Sequence, residues 1–279
     1  MHVFRTRAQM REWSLAQKRA GRTIGFVPTM GNLHEGHLSL MREAKRRCDA
    51  VAASVFVNPI QFGPNEDYAA YPRTEAADLA LCEAEGVDAV FLPSPEEMYA
   101  PDASACVDEG TLSKGYCGAQ RPGHFRGVCT VVAKLFHLVA PDVAVFGQKD
   151  FQQVAVLRRM VRDLDFPVEI VRAPIVRDAD GLAKSSRNAY LSPEARERAL
   201  SLSRSLRQAR DAVAAGERSA AALEAAVRRE TESAGWIPDY AVVADAETLE
   251  PLETVKPGFS VLLLACRSGG LRLIDNTLL

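Results

Sequence analysis

The first 175 residues alternate short apolar runs with stretches of helical periodicity, and this alternation restricts the chain to few folds. The runs are rich in Val, Ile and Phe, and the second of them stops at Asn58-Pro59. We predict strands at 23–28, 51–57, 89–92, 143–146 and 168–171, with helices at 38–47, 75–85, 126–139 and 152–164. Such a pattern predicts a parallel sheet with helices on both faces, whose ligands bind beyond the carboxyl ends of the strands.

The pattern changes beyond about residue 176, where two helices are followed by short strands. Ser192-Pro193-Glu194 places a serine N-cap before a proline at the first helical position, which predicts a helix over 192–215. The rest of this region is predicted as a helix at 220–233 and strands at 239–244, 259–267 and 271–276, with a hairpin turn at Gly269-Gly270. We therefore expect a Rossmann-like α/β domain over 1–175 and a smaller α+β domain over 176–279.

Charge and hydropathy exclude two classes of partner. Lys and Arg number 34 against 36 Asp and Glu, so the net charge of −2 gives no basic footprint for nucleic acid. No segment approaches the roughly 18 apolar residues of a membrane span. The N-terminal segment is charged and lacks an apolar signal core. We expect a cytoplasmic protein with neither a nucleic acid nor a membrane as its partner.

The six cysteines form no Cys-x-x-Cys pair, and five of them fall in segments predicted to be buried or nearly so. A zinc site can be built on paper from Cys106, Cys117, His124 and Cys129. Their spacing is irregular, however, and structural zinc ligands usually come in closely spaced pairs. The sequence favours free buried thiols.

The first polar cluster follows the strand at 23–28 and runs Met30-Gly31-Asn32-Leu33-His34-Glu35-Gly36-His37. Gly31 and Gly36 let the backbone approach a ligand, and a helix that begins near Gly36 offers unpaired N–H groups. His34 and His37 are three residues apart, so both can face one anion. We interpret the segment as a phosphate cradle. The alternatives are a helix cap with two surface histidines or a pair of zinc ligands.

Two more polar clusters follow strands. After the strand at 143–146 come Gly147-Gln148-Lys149-Asp150 and, further along, Gln153. Lys149 is expected to reach a phosphate, Asp150 to cap the helix or hold a ribose hydroxyl, and Gln153 to face the same cleft. After the second strand, the amides of Asn58 and Gln61 suit a substrate with hydroxyl and carboxylate groups. The alternative is that Gln61 is a loop residue that bonds to backbone.

The remaining two clusters lie at a domain junction and at a helix start. Lys184-Ser185-Ser186-Arg187-Asn188 puts two cations and two hydroxyls on a loop after the turn at 177–181. Such a loop suits a triphosphate whose charge moves during reaction, although a solvated polar loop is the alternative. The basic turn from Arg121 to Gly127 contains His124, which is either a substrate contact or a capping side chain.

These five motifs, in their order along the chain, resemble the class I aminoacyl-tRNA synthetase and nucleotidyltransferase superfamily. Within it, the chain resembles the pantothenate synthetase (pantoate–β-alanine ligase) family over essentially its full length. The resemblance implies an ATP-dependent ligase that adenylates (R)-pantoate and releases pyrophosphate. β-Alanine then attacks the pantoyl-adenylate to give pantothenate and AMP. The resemblance also implies Mg²⁺ as a cofactor that accompanies ATP, and a homodimer formed through the N-terminal domain.

The resemblance assigns roles to individual positions. His34, His37, Lys149 and Arg187 would be catalytic, with His37 as the proton donor. Pantoate would be bound by Gln61, Gln153 and His124, and Gln61 would also lie near β-alanine. Which residues touch the metal is not assigned, although Asp78 is a candidate. The residues expected to bind ATP are Met30, Gly31, Asn32, Leu33, His34, Glu35, Gly36, His37, Gly147, Gln148, Lys149, Asp150, Val176, Lys184, Ser185, Ser186 and Arg187.

One position departs from the family pattern, because Lys184 stands where methionine or leucine is usual. The lysine either adds a phosphate contact or marks a variant with changed ATP affinity. Three rival functions remain: a cytidylyltransferase-like enzyme, a fragment of a tRNA synthetase and a non-catalytic binding module. The near-neutral charge argues against tRNA. Release of AMP together with a new amide would exclude the cytidylyltransferase.

Overall fold

The computed structural model of the chain describes residues 1–64 and 66–279. The strands are β1 His2–Phe4, β2 Ile24–Thr29, β3 Ala50–Val55, β4 Ala89–Phe91, β5 Val143–Gly147, β6 Glu169–Ala173, β7 Ile237–Asp245, β8 Ser260–Ser268 and β9 Leu271–Leu278. The α-helices are α1 Arg7–Arg19, α2 Glu35–Arg47, α3 Glu75–Ala84, α4 Pro95–Met98, α5 Tyr116–Gln120, α6 His124–Val139, α7 Phe151–Asp163, α8 Pro193–Ala214 and α9 Ala220–Ser233. Three 3₁₀ turns, Pro59–Gln61, Gln148–Asp150 and Ser186–Tyr190, complete the elements of the described residues.

The chain divides into two compact units. The first unit comprises Met1–Gly147 and Val156–Ala173, and the second comprises Gln148–Ala155 and Pro174–Leu279. The segment Gln148–Ala155 thus groups with the second unit, although it directly follows the last residue of strand β5.

The first unit contains a parallel sheet with strand order β1-β4-β3-β2-β5-β6. Strands β2 and β3 are buried along almost their whole length, as expected for a sheet covered by helices on both faces. Strand β2 lies between β3 and β5, so the strand order reverses there and the carboxyl edge at β2 and β5 is a topological switch point. The predicted fold class is confirmed.

The second unit is a three-stranded antiparallel sheet, in the order β7-β8-β9, covered by α8 and α9. Its core is built around the fully buried Trp236. Ser192 caps α8 by accepting from the N–H of Ala195 at 3.2 Å, as predicted. Gly269 and Gly270 have φ of +55° and +81°, so the predicted turn between β8 and β9 is confirmed.

The short edge strand β1 is missing from the sequence prediction. It has three residues and pairs with β4 in parallel, and a three-residue segment carries no periodicity of its own. Helix α1 begins at a capping box in which Thr6 accepts from the N–H of Gln9. Within residues 1–64 and 66–279, no helix combines the length and the apolarity needed to cross a membrane.

All six cysteines lie in the described part of the chain, and all are free thiols. Four are buried, Cys48 is half-buried and Cys106 is exposed. Burial raises the pKa of the Cys82, Cys129 and Cys266 thiols to about 12. These three side chains therefore serve as small apolar core residues.

Candidate active site

The two histidines of the first cluster begin helix α2 and cap it. His34 is the N-cap residue, and its Nδ1 accepts from the N–H of Gly36 at 3.1 Å. His37 is the third residue of the helix, and its Nδ1 accepts from the N–H of His34 at 3.2 Å. The arrangement is a capping box in which two imidazoles replace the usual hydroxyl and carboxylate.

These capping bonds determine which ring nitrogen carries the proton. A nitrogen that accepts a hydrogen bond has no hydrogen, so each neutral ring is protonated at Nε2. The ring centroids of His34 and His37 are 4.2 Å apart. Two N–H donors on adjacent rings thus stand at the positive end of a thirteen-residue helix.

The turn before these histidines is held by a carboxylate from another helix. Asp78 of α3, only 2% exposed, accepts from the N–H of Asn32 at 3.0 Å and of Leu33 at 2.8 Å. Thr74 donates its hydroxyl to the same carboxylate at 3.2 Å. Asp78 therefore positions the histidine turn, and its oxygens are already engaged by protein donors.

The position of the Asp78 carboxylate requires a glycine at residue 31. Its φ is +83°, and a Cβ built on it would lie 2.9 Å from Asp78 Oδ2 and 3.0 Å from Val55 Cγ1. Asn32 also has a positive φ, of +50°. These two left-handed residues form the turn in which the N–H groups of Asn32 and Leu33 meet Asp78. The carboxylate lies so close to the turn that residue 31 must be a glycine.

Gln61 is buried and its side-chain amide is oriented from both ends. Its Oε1 accepts from Asn58 Nδ2 at 2.9 Å, and its Nε2 donates to Met30 Sδ at 3.2 Å. Asn58 in turn accepts from the Tyr99 hydroxyl at 2.7 Å. Burial raises the pKa of Tyr99 far above its ordinary value, so the hydroxyl stays protonated as a donor. The loop after β3 thereby holds Gln61 next to Met30 of the histidine turn.

His124 lies behind Gln61, and both of its ring nitrogens are used within the protein. Arg121 can only donate, so its Nη1, 2.9 Å from His124 Nε2, makes that nitrogen the acceptor. Nδ1 then carries the proton and donates to the carbonyl of Gln61 at 2.9 Å. His124 was interpreted either as a substrate contact or as a capping side chain. This geometry favours a side chain that bonds to the backbone over one that contacts a substrate. It also places no cysteine on the ring nitrogens that a zinc site would need.

Arg121 is itself fixed by a bidentate ion pair with Glu66, at 2.7 and 2.6 Å. Burial raises the pKa of Glu66, but the hydrogen bonds and the charge of Arg121 outweigh it and hold this pKa below its ordinary value. A chain of contacts thus runs from Glu66 through Arg121 and His124 to the backbone of Gln61. Neither Glu66 nor Arg121 has a function predicted from the sequence.

Helix α6 approaches this loop closely at Gly127. A Cβ on Gly127 would lie 2.5 Å from the carbonyl oxygen of Ile60 and 2.6 Å from Gln61 Cα. The carbonyl of Gly127 also accepts from Asn58 Nδ2 at 3.2 Å. Any larger residue would push the helix away from Gln61. The glycine was visible in the motif, but its contact with the loop after β3 was not.

In the second unit, the turn that carries Lys149 is held by the last strand. Asn276 of β9, 2% exposed, donates through Nδ2 to the carbonyls of Gln148 at 2.9 Å and Lys149 at 3.0 Å. Gln148 Nε2 donates back to Asn276 Oδ1 at 3.2 Å. Lys149 Nζ lies 3.3 Å from the carboxylate of Asp150. No sequence motif marks Asn276.

The loop around Lys184 is a small hairpin. The N–H of Lys184 donates to the carbonyl of Val176 at 2.9 Å, and Arg177 bridges to Ala183. The ammonium of Lys184 forms an ion pair with Asp178, which also accepts from Arg196 Nη2 at 2.8 Å.

Two effects oppose each other at Asp178. Burial raises its pKa, while the hydrogen bonds from Arg196 and Lys184 lower it, and the net result is a pKa below the ordinary value. The carboxylate therefore stays ionised and keeps the Lys184 side chain within the loop.

Ser185 caps the 3₁₀ turn Ser186–Tyr190, and Arg187 is the second residue of that turn. Ser185 Oγ accepts from the N–H of Arg187 at 3.3 Å, and Asn188 Nδ2 donates to the carbonyl of Ala183 at 3.0 Å. Ser186 starts the turn and is half-buried, as is Arg187. The loop is thus a folded element with its own cap.

The structure brings the predicted residues together in two groups. In the first unit, Met30 to His37 lie beside Gln61, and Gly147 ends strand β5, which pairs with β2. In the second unit, Gln148 to Asp150 form one turn, and Val176 pairs with Lys184 in another. Gln153 is half-buried in the first turn of α7.

The described residues offer no all-protein metal cage. Within 1–64 and 66–279, no three of the His, Cys, Asp and Glu side chains are grouped so that they could share an ion. Asp78, the candidate for contacting Mg²⁺, has backbone amides on both oxygens. The described side chains thus form no all-protein site for a resident metal.

The fold and the site together define a structural class of protein. A parallel sheet with a histidine turn at its switch point belongs to the nucleotidyltransferase fold of the class I aminoacyl-tRNA synthetases. The family model described as pantoate-beta-alanine ligase matches residues 2–278. The chain belongs to the pantoate–β-alanine ligase family, whose members are ATP-dependent ligases that form pantothenate.

Individual relatives agree with this assignment. A pantothenate synthetase of Heliobacterium modesticaldum is 54% identical over 278 residues, which covers 99% of this chain and 98% of the relative. A crystal structure of pantothenate synthetase from Thermus thermophilus matches with a TM-score of 0.94 and 48% identity over 99% of both chains. The pantoate–β-alanine ligase of Francisella tularensis, complexed with β-γ ATP and β-alanine, matches with a TM-score of 0.84 and 31% identity over 100% of this chain and 97% of that one.

Proposed function

We propose that this enzyme makes pantothenate through an acyl-adenylate. A carboxylate oxygen of (R)-pantoate attacks the α-phosphorus of ATP, and the bond to pyrophosphate breaks. The amine of β-alanine then attacks the activated carbonyl carbon, a C–N bond forms, AMP leaves and the amine loses a proton. The observation that carries the proposal is the paired imidazole cap at the start of α2, with its two Nε2 donors.

The histidines suit the first step electrostatically. Negative charge develops on the oxygens of the α-phosphate and on the leaving pyrophosphate. His34 and His37 can each donate a hydrogen bond from Nε2 to such an oxygen, and the helix N-terminus adds its partial positive charge. We assign both rings as hydrogen-bond donors to the phosphate oxygens. The proton-donor role predicted for His37 would require an imidazolium, whose Nδ1 could no longer accept from the His34 N–H.

Gln61 suits the recognition of pantoate and β-alanine. Its amide is held by Asn58 and Met30, so it can select a hydroxyl or carboxylate group without first being ordered. We assign Gln61 to both substrates and Gln153 to pantoate. His124 acts on the same subsite through the Gln61 carbonyl.

We assign ATP to the segments after β2 and β5 and to the Ser185 loop. Within 1–64 and 66–279, apart from Gly147 and its two chain neighbours, no atom lies within 4 Å of a Cβ built on Gly147, so a flat nucleoside has room against its backbone. Asp150 would hold the ribose and the Val176 backbone would flank the nucleoside. The phosphates would be held by Lys149, Ser185, Ser186 and Arg187, while Lys184 contributes backbone to the loop.

Magnesium enters this scheme as part of the substrate Mg²⁺·ATP. Mg²⁺ in phosphate sites keeps several waters and takes few protein ligands. That behaviour is compatible with a chain whose described carboxylates form no metal-binding group.

We also infer a cytoplasmic homodimer that associates through the first unit. That unit has an open cavity of about 720 Å³ with Phe136, Leu164 and Phe166 in its wall. Asp142 and Val168, which precede β5 and β6, also line it, so it lies at the amino end of the sheet, away from the histidine turn. An apolar surface there is typical of an association site. Sedimentation analysis tests the inference, and a monomer at micromolar concentration would contradict it.

Two half-reactions test the proposed chemistry. We expect ATP–pyrophosphate exchange that depends on pantoate, and AMP release that depends on β-alanine. Cytidine triphosphate in place of ATP should support neither. Absence of exchange in the presence of pantoate would overturn the adenylate, and release of pyrophosphate without any new amide would favour the cytidylyltransferase-like alternative.

A further inference from the structure

Asn276 makes three side-chain hydrogen bonds to a single turn. Its Nδ2 donates to the Gln148 and Lys149 carbonyls at 2.9 and 3.0 Å, and its Oδ1 accepts from Gln148 Nε2 at 3.2 Å. The side chain is 2% exposed, and its partners are 127 and 128 residues earlier in the chain. These three bonds fix two consecutive peptide groups of the turn.

The contact requires a carboxamide. Both carbonyl oxygens need a donor, and Nδ2 supplies two hydrogens in one plane. Aspartate has nearly the same shape but no donor, so its oxygen would face the two carbonyl oxygens. Leucine would remove the donor that both carbonyls share, and the loss of these hydrogen bonds costs free energy. The side chain of the next residue makes no such contact: among the described hydrogen bonds, the Thr277 hydroxyl donates only to the adjacent Leu278 carbonyl.

Asn276 is itself held in place by a buried ion pair. Its backbone N–H donates to Asp275 Oδ1 at 2.7 Å. Arg177 donates to both oxygens of Asp275, at 2.7 and 2.9 Å. The end of β9 is therefore rigid at the point where it meets the Lys149 turn, and Arg177 connects the same strand end to the loop that precedes Lys184.

We propose that Asn276 is a positioning residue for adenylation, acting through the Lys149 turn. The inference rests on the proposed role of Lys149 toward the phosphates. Asn276 fixes the peptide groups on both sides of the Lys149 Cα, and so it fixes the direction in which the lysine side chain leaves the backbone. A displacement of about 1 Å at such a group can cost about 100-fold in rate.

The test compares Asn276→Asp with the matched control Thr277→Ala on the same strand. In Asn276→Asp, pantoate-dependent ATP–pyrophosphate exchange should fall about 10- to 100-fold. The control should keep its exchange rate within about twofold, since its described side-chain hydrogen bond goes to Leu278 and not to the turn. Asn276→Ser, which keeps one donor, should fall between the two and provides a folded variant if the aspartate variant does not fold.

Repeating the Asn276→Asp change in a Lys149→Ala variant separates a positioning role from a general loss of structure. In Lys149→Ala, the additional change Asn276→Asp should cost less than about threefold, because effects that act through one group are not additive. An equal loss in both backgrounds would overturn the inference, as would a fully active Asn276→Asp. A fully active Lys149→Ala would overturn the proposed role of Lys149 as well. Impaired Lys149→Ala with unaffected Asn276→Asp would overturn the inference alone.

Discussion

The histidine turn of the first unit and the lysine turn of the second unit are held in opposite ways. Each follows a strand and precedes a helix, and each is anchored by one buried side chain from far along the chain. Asp78 accepts from two amide N–H groups of the first turn, whereas Asn276 donates to two carbonyls of the second. The anchor is a carboxylate in one case and a carboxamide in the other.

The difference follows from which backbone groups each turn leaves over. The left-handed residues Gly31 and Asn32 bring N–H groups toward α3, so a carboxylate satisfies them. The 3₁₀ turn at Gln148–Asp150 brings carbonyls toward β9, so a donor is needed. Buried backbone groups must be paired, and the polarity of the unpaired group selects the anchoring side chain.

The largest effect is expected at the two histidines. His34→Asn keeps an N-cap oxygen for the Gly36 N–H, and His37→Gln keeps the return bond of the capping box, but neither retains an imidazole. Each should lower kcat about 10²- to 10³-fold, the usual contribution of one donor to a developing oxyanion. The free energy of unfolding should change by less than about 1 kcal/mol.

Steady-state kinetics and urea denaturation of the same preparations measure both quantities. If the free energy of unfolding fell by as much as the activation free energy of the reaction rose, the result would favour the alternative in which the two histidines are only a helix cap.

The next effect tests the anchor of the histidine turn. Asp78→Asn replaces an acceptor with an amide that turns a donor toward Asn32 or Leu33. It should destabilise the protein by about 1–3 kcal/mol and lower kcat about tenfold. The matched control is Glu75→Gln on the same helix, whose ion pair with Arg5 is exposed and contributes little. If both variants behaved alike, Asp78 would not be the anchor.

A smaller effect is expected from the ion pair behind Gln61. Because the pKa of Glu66 is lowered in the folded protein, the ionised carboxylate contributes stability above its ordinary value near pH 4.5. That contribution should disappear as the pH falls through the lower folded-state pKa. Wild type and Glu66→Gln should therefore differ in free energy of unfolding at pH 7 and converge in acid.

Urea titrations from neutral pH into acid measure this convergence. Arg121→Gln should reduce the same pH-dependent difference, since it removes the cation that lowers the Glu66 pKa. A gap between wild type and Glu66→Gln that widens in acid would contradict the assignment.

The smallest effect is expected at Lys184. Its ammonium pairs with Asp178, and Arg196 remains there when the lysine is removed. Lys184→Met should change the free energy of unfolding by less than about 1 kcal/mol. The KM for ATP should change by less than about twofold, since one of two cations on an occupied carboxylate is replaced. A tenfold rise in that KM would instead support the phosphate contact.

The sequence located most of the elements, and the reasons are local. Periodicity found both helix and strand segments, and the cap at Ser192 and the turn at Gly269-Gly270 were visible as residue types with fixed backbone requirements. The same logic placed the histidine cluster at a strand end. Strand β1 was missed because its pairing with β4, rather than any pattern of its own, makes it a strand.

The site shows the same division. The histidine, lysine and serine motifs consist of residue types whose chemistry is recognisable without a structure, so they could be chosen from the sequence and from the family resemblance. Asp78 was predicted only as a metal contact, and Tyr99, Glu66 and Asn276 were given no role. Each of these acts on a partner tens of residues away, and no spacing rule covers such pairs.

The sequence by itself determined the βαβ architecture, the small second region and the chemical character of each motif, because those depend on hydrophobic period and local backbone preference. Only the tertiary structure decided which anchor holds each turn, which tautomer each histidine adopts and that Lys184 faces Asp178. Hydrogen bonds act over about 3 Å, and which distant groups come within that distance is set by packing of the whole unit.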